Sequence, residues 1–192
     1  GSVNQQELKR RLGEIAEPSY RAFSEKLKVS DRAVLGVRAP KLASLAKELA
    51  KSEKSKALDD FLSYRDPSYE EIQVSFSIFG LLKLEYRTAL SYLDRLRPFN
   101  ESWATNDNLA GCFSHLTEEP DFYRYLCSLL REQDSYDQRL GIVGLMNYYL
   151  GAASIDQTLE ELTTVSNSHY YVVMALGWAY ATAFCSSRSK TL

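Results

Sequence analysis

Trp103 and Asp107 stand four residues apart in Ser-Trp-Ala-Thr-Asn-Asp. On a helix this spacing puts both on one face, with Cβ atoms about 6 Å apart. A carboxylate held beside an indole suits a cationic substrate. The ring face attracts cations, and the carboxylate stabilises positive charge. Two further stretches give the pair context. Arg139 lies in Tyr-Asp-Gln-Arg-Leu-Gly-Ile, and Tyr171 and Trp178 lie in Tyr-Tyr-Val-Val-Met-Ala-Leu-Gly-Trp. Each residue also has a plainer reading. Asp is a poor helix former and costly in a core. Among Ala104, Leu109, Ala110 and Phe113, Asp107 is therefore either a solvated charge or a functional carboxylate. Trp103 taken alone reads as core as readily as site. Arg139 sits amid Leu140, Ile142, Val143 and Leu145. It is either a buried ion-pair partner of Glu132 or Asp137, or a fork for phosphate or carboxylate.

Rival chemistries find little support. Cys112 and His115 are three apart, but zinc takes three or four protein ligands and no second pair stands at useful spacing. No metal site is expected. No Ser or Cys nucleophile has a paired His nearby in sequence, and Gly-rich phosphate loops are missing, so no cofactor is expected. Tyr148-Tyr149 and Tyr170-Tyr171 fit packing at helix faces.

The elements that must position these residues are helices. Leu42, Leu45, Ala46 and Leu49 follow Pro40 at helical spacing. Ser68-Tyr-Glu-Glu71 is a capping box behind Pro67, and Ile72, Phe76, Phe79 and Leu82 form an apolar stripe beyond it. No Asn-Gly or Asp-Gly hairpin signal occurs. The pattern predicts helices over 4–15, 18–28, 40–51, 55–63, 68–83, 86–96, 101–116, 120–132, 135–150, 155–165 and 168–185. Tyr69, Trp103, Tyr136 and Tyr170 each open a long apolar helix. Their spacings are 34, 33 and 34 residues, with a shorter helix in each interval. A helix pair recurring at this period marks an α-solenoid. The tetratricopeptide pattern is missing, and short HEAT-like pairs fit better. The expected fold is all-α, an α-α superhelix of HEAT-like helix pairs, as one domain over 3–192. Gly1-Ser2 reads as an expression scar. In such an array the long helices line one concave wall. Trp103, Asp107, Arg139 and Trp178 would then converge from three consecutive inner helices.

Composition is that of an ordinary globular chain, 45% hydrophobic and 25% charged over 192 residues. The most apolar stretch, Tyr170 to Phe184, is shorter than the ~18 residues of a membrane span and reads as a buried helix. Three scattered cysteines and no visible signal peptide point to reduced thiols and a cytoplasmic home. The net charge of −2 is unevenly spread. Residues 1–56 hold 13 Lys+Arg against 7 Asp+Glu, and the remainder holds 10 against 18. The basic third is either a phosphate-contacting surface or the solvated end of a helix around Lys51, Lys54 and Lys56.

Leu35-Gly-Val-Arg-Ala-Pro40 with Leu42, Leu45 and Ala46-Lys47 begins a longer pattern. Trp103-x-x-x-Asp107 follows, then Arg139-Leu-Gly-Ile-Val with Met146 and Tyr148-Tyr149, then Tyr170-Tyr-Val-Val-Met-Ala with Trp178. Together these motifs resemble the AlkD-like DNA alkylation repair family, in order and from about Tyr20 to Leu192. The resemblance implies a superhelix of HEAT-like pairs clasping duplex DNA in a basic groove. It implies a monofunctional glycosylase that removes cationic N3- and N7-alkylated purines without a cofactor or metal, acting as a monomer. Asp107 matches the catalytic carboxylate. Trp103 and Trp178 match the indoles that pack on the lesion's deoxyribose, and Arg139 matches the arginine that grips the backbone. Arg38 and Lys41 are expected to add DNA contacts. Three departures stand out: Asn106 where relatives often have Cys, an acidic chain of pI about 5.8, and an end at Leu192 where the family usually continues through another helix pair. The alternative reading is a weak or silent relative that binds unusual DNA, or a protein, on the same concave face.

Overall fold

The computed structural model describes residues 4–191. Among the described residues are eleven α-helices and no strand. In chain order they are α1 (Gln5–Ile15), α2 (Pro18–Lys26), α3 (Ala39–Ser52), α4 (Lys56–Leu62), α5 (Tyr69–Leu82), α6 (Tyr86–Leu96), α7 (Trp103–Ala110), α8 (Pro120–Leu129), α9 (Ser135–Tyr148), α10 (Ile155–Leu162) and α11 (Tyr170–Thr191). The expected all-α class holds, with helices packed against each other within each part of the chain. The chain divides into two compact units, Gly1–Cys112 and Phe113–Leu192.

In the first unit α5 is the hub. It packs against α3 on one side and α7 on the other, with α4 and α6 behind. Burial explains its composition. Ile72, Val74, Phe76, Ile78 and Phe79 point around the whole cylinder and are all almost fully buried. With apolar residues on every side, α5 is most stable when enclosed, as its neighbours make it. Its start is set by the capping box read from sequence. Ser68 Oγ accepts from Glu71 N–H, and Glu71 Oε2 accepts from Ser68 N–H at 2.7 Å. In the second unit α9 takes the same place between α8 and α11. Two glycines let α8 come close. A Cβ at Gly141 would stand 2.8 Å from the Leu126 carbonyl oxygen, and one at Gly144 would stand 3.1 Å from Leu126 Cδ2.

The recurrence seen in the sequence marks real helix starts. Tyr69, Trp103 and Tyr170 are the first residues of α5, α7 and α11, and Tyr136 is the second of α9. One expected helix is shorter than its pattern. The reading of 101–116 ends at Ala110, because Gly111 N–H turns back to the carbonyls of Asp107 and Asn108, both at 3.1 Å. Phe113 and Leu116 are buried from a following 3-10 turn instead.

A loop between α2 and α3 governs how the first unit presents its surface. Gly36 has φ +92, and a Cβ there would lie 2.5 Å from the Arg21 backbone nitrogen. Only glycine fits this conformation and this approach. The N–H groups of Leu35, Gly36 and Val37 then converge on the Glu70 carboxylate, at 2.9, 2.9 and 3.4 Å. Glu70 is 1% exposed. Replacing Glu70 with Ala orphans those donors, and each buried unsatisfied donor costs about 1–3 kcal/mol. Glu70→Ala is therefore expected to lower stability by about 3 kcal/mol or more in urea unfolding, and Gly36→Ala to be clearly destabilising as well.

Candidate functional site

Ser102 caps α7 and sets where Trp103 and Asp107 fall. Its Oγ accepts from Thr105 N–H at 3.1 Å, while Thr105 Oγ1 accepts from Ser102 N–H at 3.2 Å. This is a capping box with Thr in the place usually held by Glu or Gln. Gln73 and Asn108 fix the rotation of the helix. Asn108 Nδ2 donates to Gln73 Oε1 at 2.9 Å, and Gln73 Nε2 donates to the Ala104 carbonyl at 3.3 Å. Thr105, Asn106, Leu109 and Ala110 are thereby turned inward. Trp103 and Asp107 remain half-buried, one helical turn apart on the outer side. The face that the spacing predicted is present.

Trp103 is not free to swing. Its Nε1–H donates to the Leu27 carbonyl at 3.2 Å, in the loop that Glu70 organises. The same loop is joined to the residue before the α7 cap, with Arg32 and Glu101 2.7 Å apart. Asp107 receives Asn106 Nδ2–H at 3.3 Å. Asn106 is fully buried and accepts Asn100 Nδ2–H at 2.8 Å. This polar network was missed from sequence. Its one visible signal is Ser-x-x-Thr directly before a Trp-led helix.

Arg38 and Lys41 flank the start of α3 and are about half exposed. Arg38 Nε donates to Glu17 Oε2 at 2.8 Å, and its guanidinium lies over the Tyr20 ring, 4.9 Å from the centroid. Lys41 Nζ is 3.9 Å from the same carboxylate. Phe23, 53% exposed, lies on α2 beyond Tyr20. The first unit thus presents a basic and aromatic surface in which one acid partly offsets two cations.

Arg139 and Trp178 belong to the second unit. Arg139 is 5% exposed, on α9. Its Nη1 donates to the Tyr171 carbonyl at 2.7 Å, and its guanidinium lies 5.8 Å from the Tyr171 ring centroid. Tyr136 and His169 complete an aromatic cluster around Tyr171. The Tyr-Tyr pair expected to be simple packing therefore holds the arginine. Trp178 departs from the sequence reading in burial. The apolar run predicted an enclosed helix, yet Trp178 is 47% exposed, and Tyr170, Val173, Met174 and Phe184 are at least as open. Among the described residues of α11, Val172, Ala175, Ala179 and Ala183 are shut in. Small residues line the packed side, and large ones are left outward.

Cys112 and Cys127 are poor nucleophiles, since burial raises the pKa of both thiols. Cys112, Cys127 and Cys185 form no disulfide. Cys112 Sγ donates within its own unit toward the Asn108 and Phe76 carbonyls, and burial pushes its pKa up to about 12. Burial likewise pushes Cys127 up to about 11. Among the described residues no group of three His, Cys, Asp or Glu could hold a metal ion. No described helix is long and apolar enough to cross a membrane.

An outward carboxylate–indole pair on one helix and a buried arginine on another are now in view. The family described as DNA alkylation repair enzyme matches residues 8–182. The chain belongs to that family, and its role lies in DNA alkylation repair. No curated protein and no solved structure matched the chain.

Thiolate is the reactive form, so a raised pKa keeps a thiol inert below it. At pH 8 the native protein is expected to give one fast-reacting thiol with Ellman's reagent, the exposed Cys185. Two more should appear only on unfolding. Fast reaction of Cys112 would contradict its enclosure.

Proposed function

We propose that the protein is an alkylpurine DNA glycosylase, hydrolysing the N-glycosidic bond of cationic N3- and N7-alkylated purines in duplex DNA. The observation that carries this reading is Asp107 standing one turn from Trp103 on the outer face of α7, in a chain of the DNA alkylation repair family. The chemistry needs little more. An alkylated purine is already positively charged, so it leaves without a general acid. The barrier lies in the sugar, which becomes oxocarbenium-like. A fixed carboxylate stabilises that cation and orients water for attack. Indole faces add attraction for the same charge.

In this reading Trp178 supplies the second indole and Arg139 grips phosphate near the lesion. Arg38 and Lys41 would neutralise phosphates further along the duplex. Most enzymes that act on a base extrude it from the stack. Here the assigned groups suit contact with sugar and backbone, which leaves the base free to stay stacked. Duplex DNA bearing such lesions is the proposed partner. A specific observation favours a rival. Arg38 and Lys41 already share Glu17 in a chain of net charge −2, which would suit a relative that binds weakly and does not turn over.

Incubation with duplex DNA containing N7-methylguanine, followed by measurement of free base, decides between them. Asp107→Asn keeps the size of the side chain and removes its charge. It is expected to cut base release by about 10²–10³-fold while DNA binding persists. Equal release by both proteins would show that the carboxylate is structural. No release by either would favour the rival. DNA affinity should fall as salt rises, because neutralising phosphates releases counterions. Trp178→Ala is a second clean probe. With its ring half exposed, it should cost well under the ~3–5 kcal/mol of a buried Trp while still lowering base release.

A further inference from the structure

Asn106 is an amide with no exposed surface, one residue before the proposed catalytic carboxylate. A buried amide must place both its acceptor and its donors. Asn106 Oδ1 accepts Asn100 Nδ2–H at 2.8 Å, and Asn106 Nδ2–H donates to Asp107 Oδ1 at 3.3 Å. Asn100 is itself buried, and its Oδ1 accepts the Thr105 hydroxyl at 3.1 Å. Thr105 Oγ1 in turn accepts the backbone N–H groups of Ser102 at 3.2 Å and Glu101 at 3.3 Å. Donors can be followed in one sense from the N-terminal backbone of α7 through Thr105, Asn100 and Asn106 to Asp107, with the Ser102 carbonyl, 3.2 Å away, a second acceptor for the Thr105 hydroxyl.

We propose that Asn106 is a positioning residue: it fixes the Asp107 carboxylate through a directed hydrogen-bond chain rooted in the α7 capping box. The inference rests on the glycosylase reading for what Asp107 does, but not for what holds it. Three physical points support it. Each donor in a same-sense chain polarises the next, so the final amide N–H is a stronger donor to the carboxylate than an isolated one. The root is rigid, because Thr105 and Asn100 lie in the capped end of the helix and are themselves buried. Finally, the last link is long at 3.3 Å, as catalytic hydrogen bonds often are before a ligand closes the site. Orientation matters here because the carboxylate has to meet both a sugar cation and an attacking water. A displacement near 1 Å can cost about 10²-fold in rate.

A plain structural role predicts something different. If Asn106 only satisfies Asn100 in the core, its loss should weaken folding and lower every activity in proportion. Two measurements separate the cases. The first needs no turnover. In the NMR spectrum of the whole chain, the Asn106 side-chain NH₂ should exchange slowly with solvent. One of its protons should shift when Asp107 is changed to Ala, while the Asn100 NH₂ shifts less. The second is a double-mutant cycle. Asn106→Leu keeps the volume and removes the donor. Asn106→Ser keeps a shorter donor and acceptor. Both are checked for native melting, so that a variant that fails to fold is set aside for the other. Asn106→Leu is expected to lower the single-turnover rate of base release by about 10²-fold with DNA affinity unchanged. Asn106→Ser should recover part of that loss. In the Asp107→Asn background neither change should cost more, because the group being positioned is gone. Additive losses, or an Asn106 amide that exchanges freely and ignores Asp107, would overturn the proposal. If the wild-type chain releases no base, the glycosylase reading falls, and the NMR result alone decides whether Asn106 holds Asp107.

Discussion

A buried polar group between packed helices has to find its partner there, and this constraint shapes the protein. Within its own unit, each of α5 and α9 carries polar side chains buried against neighbouring helices, and those have no solvent to fall back on. Glu70 answers with three backbone N–H groups of the 35–37 turn. Glu71 answers with its own helix cap and with Gln5 Nε2 at 3.0 Å. Gln73 binds α7, and Arg139 binds the Tyr171 carbonyl. Apart from the Glu71 cap, each of these bonds joins one element to another. Satisfying the buried polar groups and aligning the helices are therefore a single requirement. The candidate site inherits its geometry from them. Trp103 is tied to Leu27, in the loop closed on Glu70, and Asp107 is tied to the capping box of α7 through Asn106.

Much of this was legible in the sequence, for reasons that are local. Ser68 and Glu71 cap a helix by a three-residue rule. Pro40 starts another, and the 33–34-residue recurrence falls on the starts of α5, α7, α9 and α11. The Trp103–Asp107 face needs only the pitch of a helix. What stayed hidden depends on partners far away in the chain. Glu70 and Gly36 are 34 residues apart, and nothing about either residue type announces the other. Trp103 and Leu27 are 76 apart. The early end of α7 was masked because Phe113 and Leu116 keep the helical spacing of apolar residues while being buried from a 3-10 turn. Burial of α11 was misjudged for a related reason. Its apolar residues run all round the cylinder, and composition does not say which side a neighbour covers.

Electrostatics deserve the same local treatment. A net charge of −2 argues against DNA binding only if charge acts as a sum. At the ionic strength of a cell, screening cuts the reach of exposed charges to about 8 Å. A phosphate at the start of α3 would therefore feel Arg38, Lys41 and Glu17 far more than the net charge of the chain. Arg38 is already bonded to Glu17 and stacked on Tyr20. Binding a phosphate there exchanges one anion for another around the guanidinium. The gain is smaller than for a bare arginine, but the fork arrives already oriented. The ring beneath it holds the plane, and the carboxylate holds the direction. Arginine suits this arrangement better than lysine, since its planar group can keep the stacking contact while its remaining N–H donors turn outward. Recognition of a backbone by such a surface would rest on preorganised donors at few points rather than on a high overall positive charge.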